Sequence, residues 1–471
     1  MKKRILAAVL ACASVLAAAG CSQDNGASST TTTTAAGAAA NSADNGGETA
    51  ADEKKVPENE VSGEVKEDSI VVWMWNTDAK GIIDNVLKEH DPDLYNRIVY
   101  VNTGGTDFYQ DKLDNIFNDE SNALYPDVVA LEADYILKYT NGTNLLNISD
   151  IGITASDYAD EYQYTIDTAT NYKGELKALS WQACPGAWAV RASLAEKYLG
   201  TSDPAAVQEF FKDWDAVYET AKKVKEDSNG KTLLLPGYED VKRVFMGARS
   251  SGWHDTNDNL IVDQAMLDYM DYAKKLNDEG LTWNTTQWTD DWTAKKNGDA
   301  TLALPGCTWY TYWSMSEENF GDYILIDGPQ SYSWGGTWLA ATKGCADKDG
   351  AAKLIKYLTC DADFMAKINA YNVDFVNNKT AIQTRISEGA VAQLEGKKPI
   401  LSDKQGQTFL EYFIDKADTI NGNLLTAEDA TITGLFDAQV KEYVNGNKDK
   451  DKAIEDFKKN VADTYSYITV N

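Results

Sequence analysis

From Ser69 to Tyr135 short apolar runs alternate with amphipathic segments, and this alternation constrains the fold more than any other feature of the chain. Ser69–Trp75 (SIVVWMW), Arg97–Val101 and Val128–Leu131 read as strands, being β-branched and bounded by turn residues. Between them Ile82, Ile83, Val86 and Leu87 fall at helical spacing. Leu113, Ile116 and Phe117 share one side of a helix over Asp107–Phe117. A βαβαβ order predicts a parallel sheet with helices on both faces. Its loops Trp75–Asp78, Thr103–Asp107 and Glu132–Tyr135 then open on one edge, where such sheets place their ligands.

The chain next reads as a crossing between lobes. A fourth strand, Leu176–Trp181, runs into Gln182-Ala183-Cys184-Pro185-Gly186 and resumes as Ala187–Arg191. Asp213 caps a helix whose apolar side is Trp214, Val217, Tyr218, Ala221 and Val224, and a second α/β lobe follows. Within it, Asn297–Trp338 carries two more apolar runs, Thr301–Leu304 and Tyr323–Ile326. Each ends in a Pro/Gly break, Pro305-Gly306 and Gly328-Pro329, and each break hands over to an aromatic-rich loop. Aromatics placed just beyond strand ends suit a ligand cleft better than a strand core. Leu339–Thr342 is a further strand, Asp347 opens a helix, and the chain ends in the amphipathic run Lys448–Val461.

Composition narrows the function. A net charge of -29 argues against a nucleic-acid partner. Only His90 and His254 are present, which disfavours histidine-based catalysis or zinc binding, and no metal or cofactor is expected. The 13 Trp and 25 Tyr outweigh the 12 Phe, a tilt toward rings with a polar handle that suits ligands with apolar faces and hydroxylated edges, as sugars have. Asp255-Thr-Asn257-Asp258-Asn259 resembles a calcium loop, but Leu260 replaces the required Gly and Met266 the required Glu, so a hairpin of Asx turns is expected. Cys345 and Cys360 flank a helix that holds them about 16 Å apart, too far to bridge; a bridge between Cys184 and Cys307 stays open.

The N-terminus reads as a sorting signal. Lys2, Lys3 and Arg4 precede an apolar run from Ile5 to Ala19 that is too short to span a bilayer. It ends Ala18-Ala19-Gly20-Cys21, which resembles a bacterial lipobox. The resemblance implies a signal peptide over residues 1–20 and lipid attachment, palmitate included, at Cys21. Residues 21–67 are low in complexity and then charged, and read as a disordered tether with a reach of roughly 35–40 Å.

Five body segments resemble one family. They are YPDVVALEADY, KALSWQACPGAWAV, DWDAVYETAKKVK, NGDATLALPGCTW and GGTWLAATKGCADKDGAAKLIKYLT, in the family's order. It is the extracellular solute-binding proteins of ABC transporters, in the carbohydrate-binding group that includes maltose-type binding proteins. The resemblance implies a two-lobed α/β fold of the periplasmic-binding-protein type II, with hinge strands between the lobes. The lobes would comprise 68–180 plus 335–395 and 181–334 plus 396–471. It also implies an extracytoplasmic, membrane-anchored monomer that closes on a carbohydrate and docks on permease subunits, with no catalysis. The aromatic density and Cys184, Cys307, Cys345 and Cys360 depart from the family's pattern.

The resemblance assigns Trp309 as a stacking platform and Asp134 as a hydroxyl-binding acid. Trp75, Trp181, Trp253, Trp313, Trp334 and Trp338 are further candidate platforms. Asn76, Asp78, Asp107 and Gln182 are polar candidates on the loops, and Asn372 and Asp374 on the rim. Two alternatives remain beside the importer reading. One is a secreted glycoside hydrolase, which needs two carboxylates either about 5 Å or about 6.5–9.5 Å apart. The other is a binding protein for a peptide, polyamine or glycerol phosphate, although a phosphorylated ligand would want Arg or Lys in loops that here are acidic and aromatic.

Overall fold

The computed structural model describes residues 56–470. The signal peptide, Cys21 and residues 21–55 of the tether lie outside the described residues. The strands are β1 (Glu60–Ser62), β2 (Ile70–Met74), β3 (Ile98–Asn102), β4 (Val128–Glu132), β5 (Leu179–Ser180), β6 (Gly186–Arg191), β7 (Ala303–Cys307), β8 (Tyr323–Ile326) and β9 (Thr337–Ala341).

Six strands form one sheet in the order β1-β3-β2-β4-β9-β5. β2 pairs in parallel with β3 and β4, as the βαβαβ order predicts, while β9 runs antiparallel between β4 and β5. Every residue of β2 is buried, which is why it reads as an unbroken apolar run. Helices Tyr109–Ile116 and Lys348–Thr359 turn Leu113, Leu354 and Leu358 into this core. The second lobe is built on a smaller antiparallel sheet, β7-β6-β8. Around it pack helices Trp214–Asp227, Gln264–Asp278, Asp429–Val444 and Lys450–Thr464, through Val217, Met270, Phe436 and Phe457. Asp213 caps the first of these by accepting from Ala216 N, and Asp347 caps Lys348–Thr359 by accepting from Gly350 N, both as expected.

Strand-like segments cross between the lobes side by side. Gly186 N donates to Tyr332 O at 2.7 Å and Trp334 N to Cys184 O at 3.1 Å. Ala183 N donates to Phe375 O at 3.0 Å, and Asn377 N to Trp181 O at 2.9 Å. The chain therefore has the two-lobed α/β fold, with hinge strands at the junction.

Three expectations are corrected. The tether was expected to run to residue 67, but Glu60–Ser62 pairs antiparallel with β3. The open edge of β3 supplies the partner, and Lys112 Nζ fixes the approach by donating to Pro57 O at 2.6 Å and Asn59 Oδ1 at 2.9 Å. Pro305-Gly306 does not break the first run: both lie inside β7, opposite Trp188 and Ala187. β7 is an edge strand, where proline's missing N–H is tolerated. Gly306 is required there because a Cβ would lie 2.5 Å from the buried Tyr310 ring. The aromatics that follow form a helix, Thr308–Trp313, not a loop. The Asp255 segment is the expected Asx-turn hairpin: Asp255 Oδ1 accepts from the amides of Asn257 and Asn259 at 2.8 and 2.9 Å. Cys184, Cys307, Cys345 and Cys360 are all free thiols, so the Cys184–Cys307 bridge is not formed.

Candidate functional site

The carboxyl ends of the parallel strands and the entry to β9 share one edge of the first sheet. Because β9 is antiparallel to β4, Glu132 pairs with Thr337, and the loop Trp334–Gly336 lies beside Glu132 and Asp134. The second lobe brings the helix Thr308–Trp313 to the same place, since β7 ends at Cys307 opposite Gly186, where the crossing segment enters β6. The junction is thus walled by acidic residues of one lobe and aromatic residues of the other.

The aromatic wall is a group of tryptophans. Trp309 lies 5.3 Å from Trp334 and 5.8 Å from Trp313, ring centroid to centroid. Its indole N–H donates to Trp334 O at 2.9 Å. Trp288 joins the group, stacked on Trp309 at 6.4 Å with 23° between the planes, and near Trp313 and Trp334. Trp309 and Trp288 are half-buried and Trp313 is 41% exposed, so these rings keep open surface. A buried polar network supports the group from below. Trp292 donates its N–H to Asp240 Oδ1 at 3.0 Å, and the Lys296 ammonium lies 4.5 Å from the Trp292 ring centre while donating to the Ser314 hydroxyl at 3.2 Å. Burial pushes Asp240 up to about 7 and Lys296 down to about 8.

The acidic wall has two centres. Asp134 follows β4, and Arg243, on the helix Lys242–Gly247 of the second lobe, grips it with both nitrogens, Nη1 to Oδ1 at 2.7 Å and Nη2 to Oδ2 at 2.5 Å. The same guanidinium lies 5.5 Å from the Trp334 ring centre. Burial opposes the Asp134 charge, but Arg243 outweighs it and holds the carboxyl below its usual range. The second centre is Asp374. It accepts from the Tyr312 hydroxyl, from Asn372 Nδ2 at 2.7 Å and from Gln182 Nε2 at 3.2 Å. Tyr312 lies on the helix Thr308–Trp313, so this contact also spans the lobes. Asn76 Nδ2 donates to Asp78 Oδ2 at 2.6 Å. Asp78 keeps contact with solvent, yet enclosure by surrounding protein, and then the Asp374 charge, push it up to about 6.

The structure thus brings together Trp309, Trp313, Trp334 and Asp134 at one centre, and Asn76, Asp78, Gln182, Asn372 and Asp374 around the other. Asp107 is exposed ahead of the helix Tyr109–Ile116, on the same edge of the sheet. Four tryptophans are corrected to core packing. Trp253 is 1% exposed, wedged against Phe436 and Phe457, with its N–H spent on Thr433 Oγ1 at 2.9 Å. Trp338 is 1% exposed and donates to Thr165 O at 3.0 Å. Trp181 is wholly buried with its indole N–H turned toward Asp374, so its ring offers no open face although it adjoins that centre. Trp75 is buried, edge-on to Tyr109 at 5.4 Å. Sequence reasoning missed Arg243, Trp288 and Glu132 as members of the junction, and Tyr312 as its second link. A lone Arg on a helix gives no signal. Trp288 sits at φ 72, an uncommon conformation for a bulky residue, but φ is not legible in sequence.

Among the described residues no group of His, Cys, Asp and Glu is arranged to hold a metal ion, and no helix is long and apolar enough to cross a membrane.

Solved structures share this architecture. An extracellular solute-binding protein of family 1 matches with a TM-score of 0.67 at 17% identity, over 83% of this chain and 97% of the other. The ABC transporter associated binding protein from B. animalis subsp. lactis, in complex with β-1,6-galactobiose, matches with a TM-score of 0.65 at 20% identity, over 86% and 99%. The sugar-binding protein MalE from Xanthomonas citri matches with a TM-score of 0.66 at 15% identity, over 84% and 96%. These likenesses define the fold class: a two-lobed α/β architecture. The family model for bacterial extracellular solute-binding proteins matches residues 82–388, and the chain belongs to that family. No curated protein sequence matches it.

Proposed function

We propose that this protein captures a neutral carbohydrate, an oligosaccharide, between its lobes and delivers it to the permease subunits of an ABC importer. Trp309, Trp313 and Trp288 act as stacking platforms, and the carboxyl and amide groups around Asp374 meet the hydroxyls. The protein binds and releases its ligand without chemistry. Cys21 carries the lipid that holds it at the outer face of the membrane, and the residues after Cys21 space the body from that surface. The observation that carries the reading is the tryptophan group with open ring surface, set against acidic groups of the opposite lobe. Flat apolar rings flanked by hydrogen-bonding groups complement the C–H faces and hydroxyl edges of sugar rings. The sugars named with related folds, β-1,6-galactobiose and lacto-N-biose, agree with it.

Equilibrium dialysis against β-1,6-galactobiose, lacto-N-biose, maltose and longer neutral oligosaccharides tests the proposal. Saturable retention of one class, recovered uncleaved, is expected. Cleavage in the chamber would move the assignment to a glycoside hydrolase, and retention of none would remove the carbohydrate assignment.

A further inference from the structure

Glu132 is the last residue of β4 and sits at the centre of the junction. Its Oε2 accepts from Asp134 N at 2.7 Å. Its Oε1 faces Gly335 beside the Trp309 indole. A methyl group on Gly335 would lie 3.4 Å from Glu132 Oε1 and 3.1 Å from Trp309 Nε1, so the bare Gly335 backbone is what lets the acid and the platform stand this close to one another. Asp134 is differently placed, with both of its oxygens taken by Arg243 from across the junction. Among the described residues Glu132 has no ion pair of this kind.

We propose that at the β4 loop Glu132, and not Asp134, is the acid that contacts the ligand, presenting Oε1 to a saccharide oxygen seated on Trp309, while Arg243 holds Asp134 and thereby fixes the loop. This rests on the carbohydrate reading and refines it at one residue. The protonation state sets the direction of the hydrogen bond. Burial, and then the Asp134 charge, push Glu132 up to about 8, with Arg243 opposing. The other titratable groups that act on it or are acted on by it are Tyr135, Cys184 and Cys307, each of which burial keeps protonated. Near neutral pH, Glu132 therefore carries its proton and donates.

Two measurements test this. In the first, affinity for the members of the saccharide panel is followed from pH 6 to pH 9.5. Wild-type affinity is expected to hold level below pH 8 and to fall about tenfold per unit well above it. Glu132→Gln, whose amide donates at every pH, is expected to keep the affinity and lose the pH dependence. Glu132→Ala is expected to lose at least about tenfold, and Asp134→Asn less than that. Equal affinity in Glu132→Ala and wild type, or a larger loss in Asp134→Asn, would overturn the proposal. In the second, tryptophan fluorescence of the ligand-free protein is titrated over the same range. A step near pH 8, absent in Glu132→Gln and in Trp309→Phe, is expected, because the carboxyl group lies beside that indole. A flat profile with saccharide binding intact would overturn the assignment to Glu132 alone. The step with no saccharide bound would overturn the carbohydrate reading, and the ligand role of Glu132 with it.

Discussion

Arg243 joins groups that are far from it in sequence: Asp134 by two hydrogen bonds, the Trp334 ring across 5.5 Å, and Glu132 through its field. Removing it strands a largely buried carboxylate. Arg243→Ala is expected to lower stability to urea by about 2 kcal/mol. Arg243→Lys is expected to recover less than half, because an ammonium cannot make the paired contact. Full stability in Arg243→Ala would mean that the contact adds nothing to the lobe junction. At this scale the sequence was partly legible. Asp134 and Trp309 stand in segments that resemble a family, and both lie at the junction. Arg243 resembles any solvent-facing arginine until its partner is known. The tryptophans were hardest to sort: Trp253, Trp338, Trp309 and Trp334 all stand near strand ends or turns. Whether a ring is covered depends on helices far away in sequence, such as Asp429–Val444 over Trp253.

Among elements, the edge strand β7 and the helix Asp429–Val444 make opposite demands on glycine. At Gly306 an added Cβ would meet the wholly buried Tyr310 ring at 2.5 Å, so Gly306→Ala is expected to destabilise by about 2 kcal/mol. At Gly434, within the helix, an added Cβ meets nothing within 4 Å, so Gly434→Ala is expected to stabilise by about 0.5–1 kcal/mol. Urea midpoints of the two variants check both signs. The hairpin that starts at His254 is tied to the same helix region: His254 Nε2 lies 2.7 Å from Glu428 Oε2, and the Tyr467 hydroxyl donates to Glu428 Oε1 at 2.6 Å. The hydrogen bond to Glu428 raises His254 above its ordinary 6.5. Glu428 is drawn below its ordinary 4.5 despite the opposing effect of burial. The imidazolium contribution is full below pH 6.5 and is lost as pH rises through the elevated folded value. The carboxylate contribution is present above pH 4.5 and is lost as pH falls through the depressed one. His254→Gln should therefore lower the melting temperature most between about pH 5 and 6.5, and little at pH 9. An equal loss at both pH values would contradict the pairing. The doubly covered strands β2, β3 and β4 were legible because burial on both faces leaves an unbroken apolar run. β1 was not, because its pairing uses backbone groups and none of its side chains is buried. Pro305-Gly306 misled because a Pro-Gly pair marks a turn in most contexts, whereas an edge strand next to a large buried ring accepts both residues.

The whole molecule combines a six-stranded first sheet, a second lobe built on a smaller three-stranded sheet, and crossing strands beside which side-chain contacts also join the lobes. Two of these, Arg243 to Asp134 and Tyr312 to Asp374, lie where the ligand is proposed to sit. Closure and binding would then draw on the same residues, as a clamp requires. The central claim is that a neutral saccharide stacks on the tryptophan group between the lobes. Intrinsic tryptophan fluorescence, titrated with the saccharide panel in wild type and Trp309→Ala, tests it most directly. A saturable change with one saccharide class is expected in the wild type, and affinity at least about tenfold weaker in a folded Trp309→Ala. A saturable change of equal affinity in Trp309→Ala would place the ligand elsewhere and contradict the account.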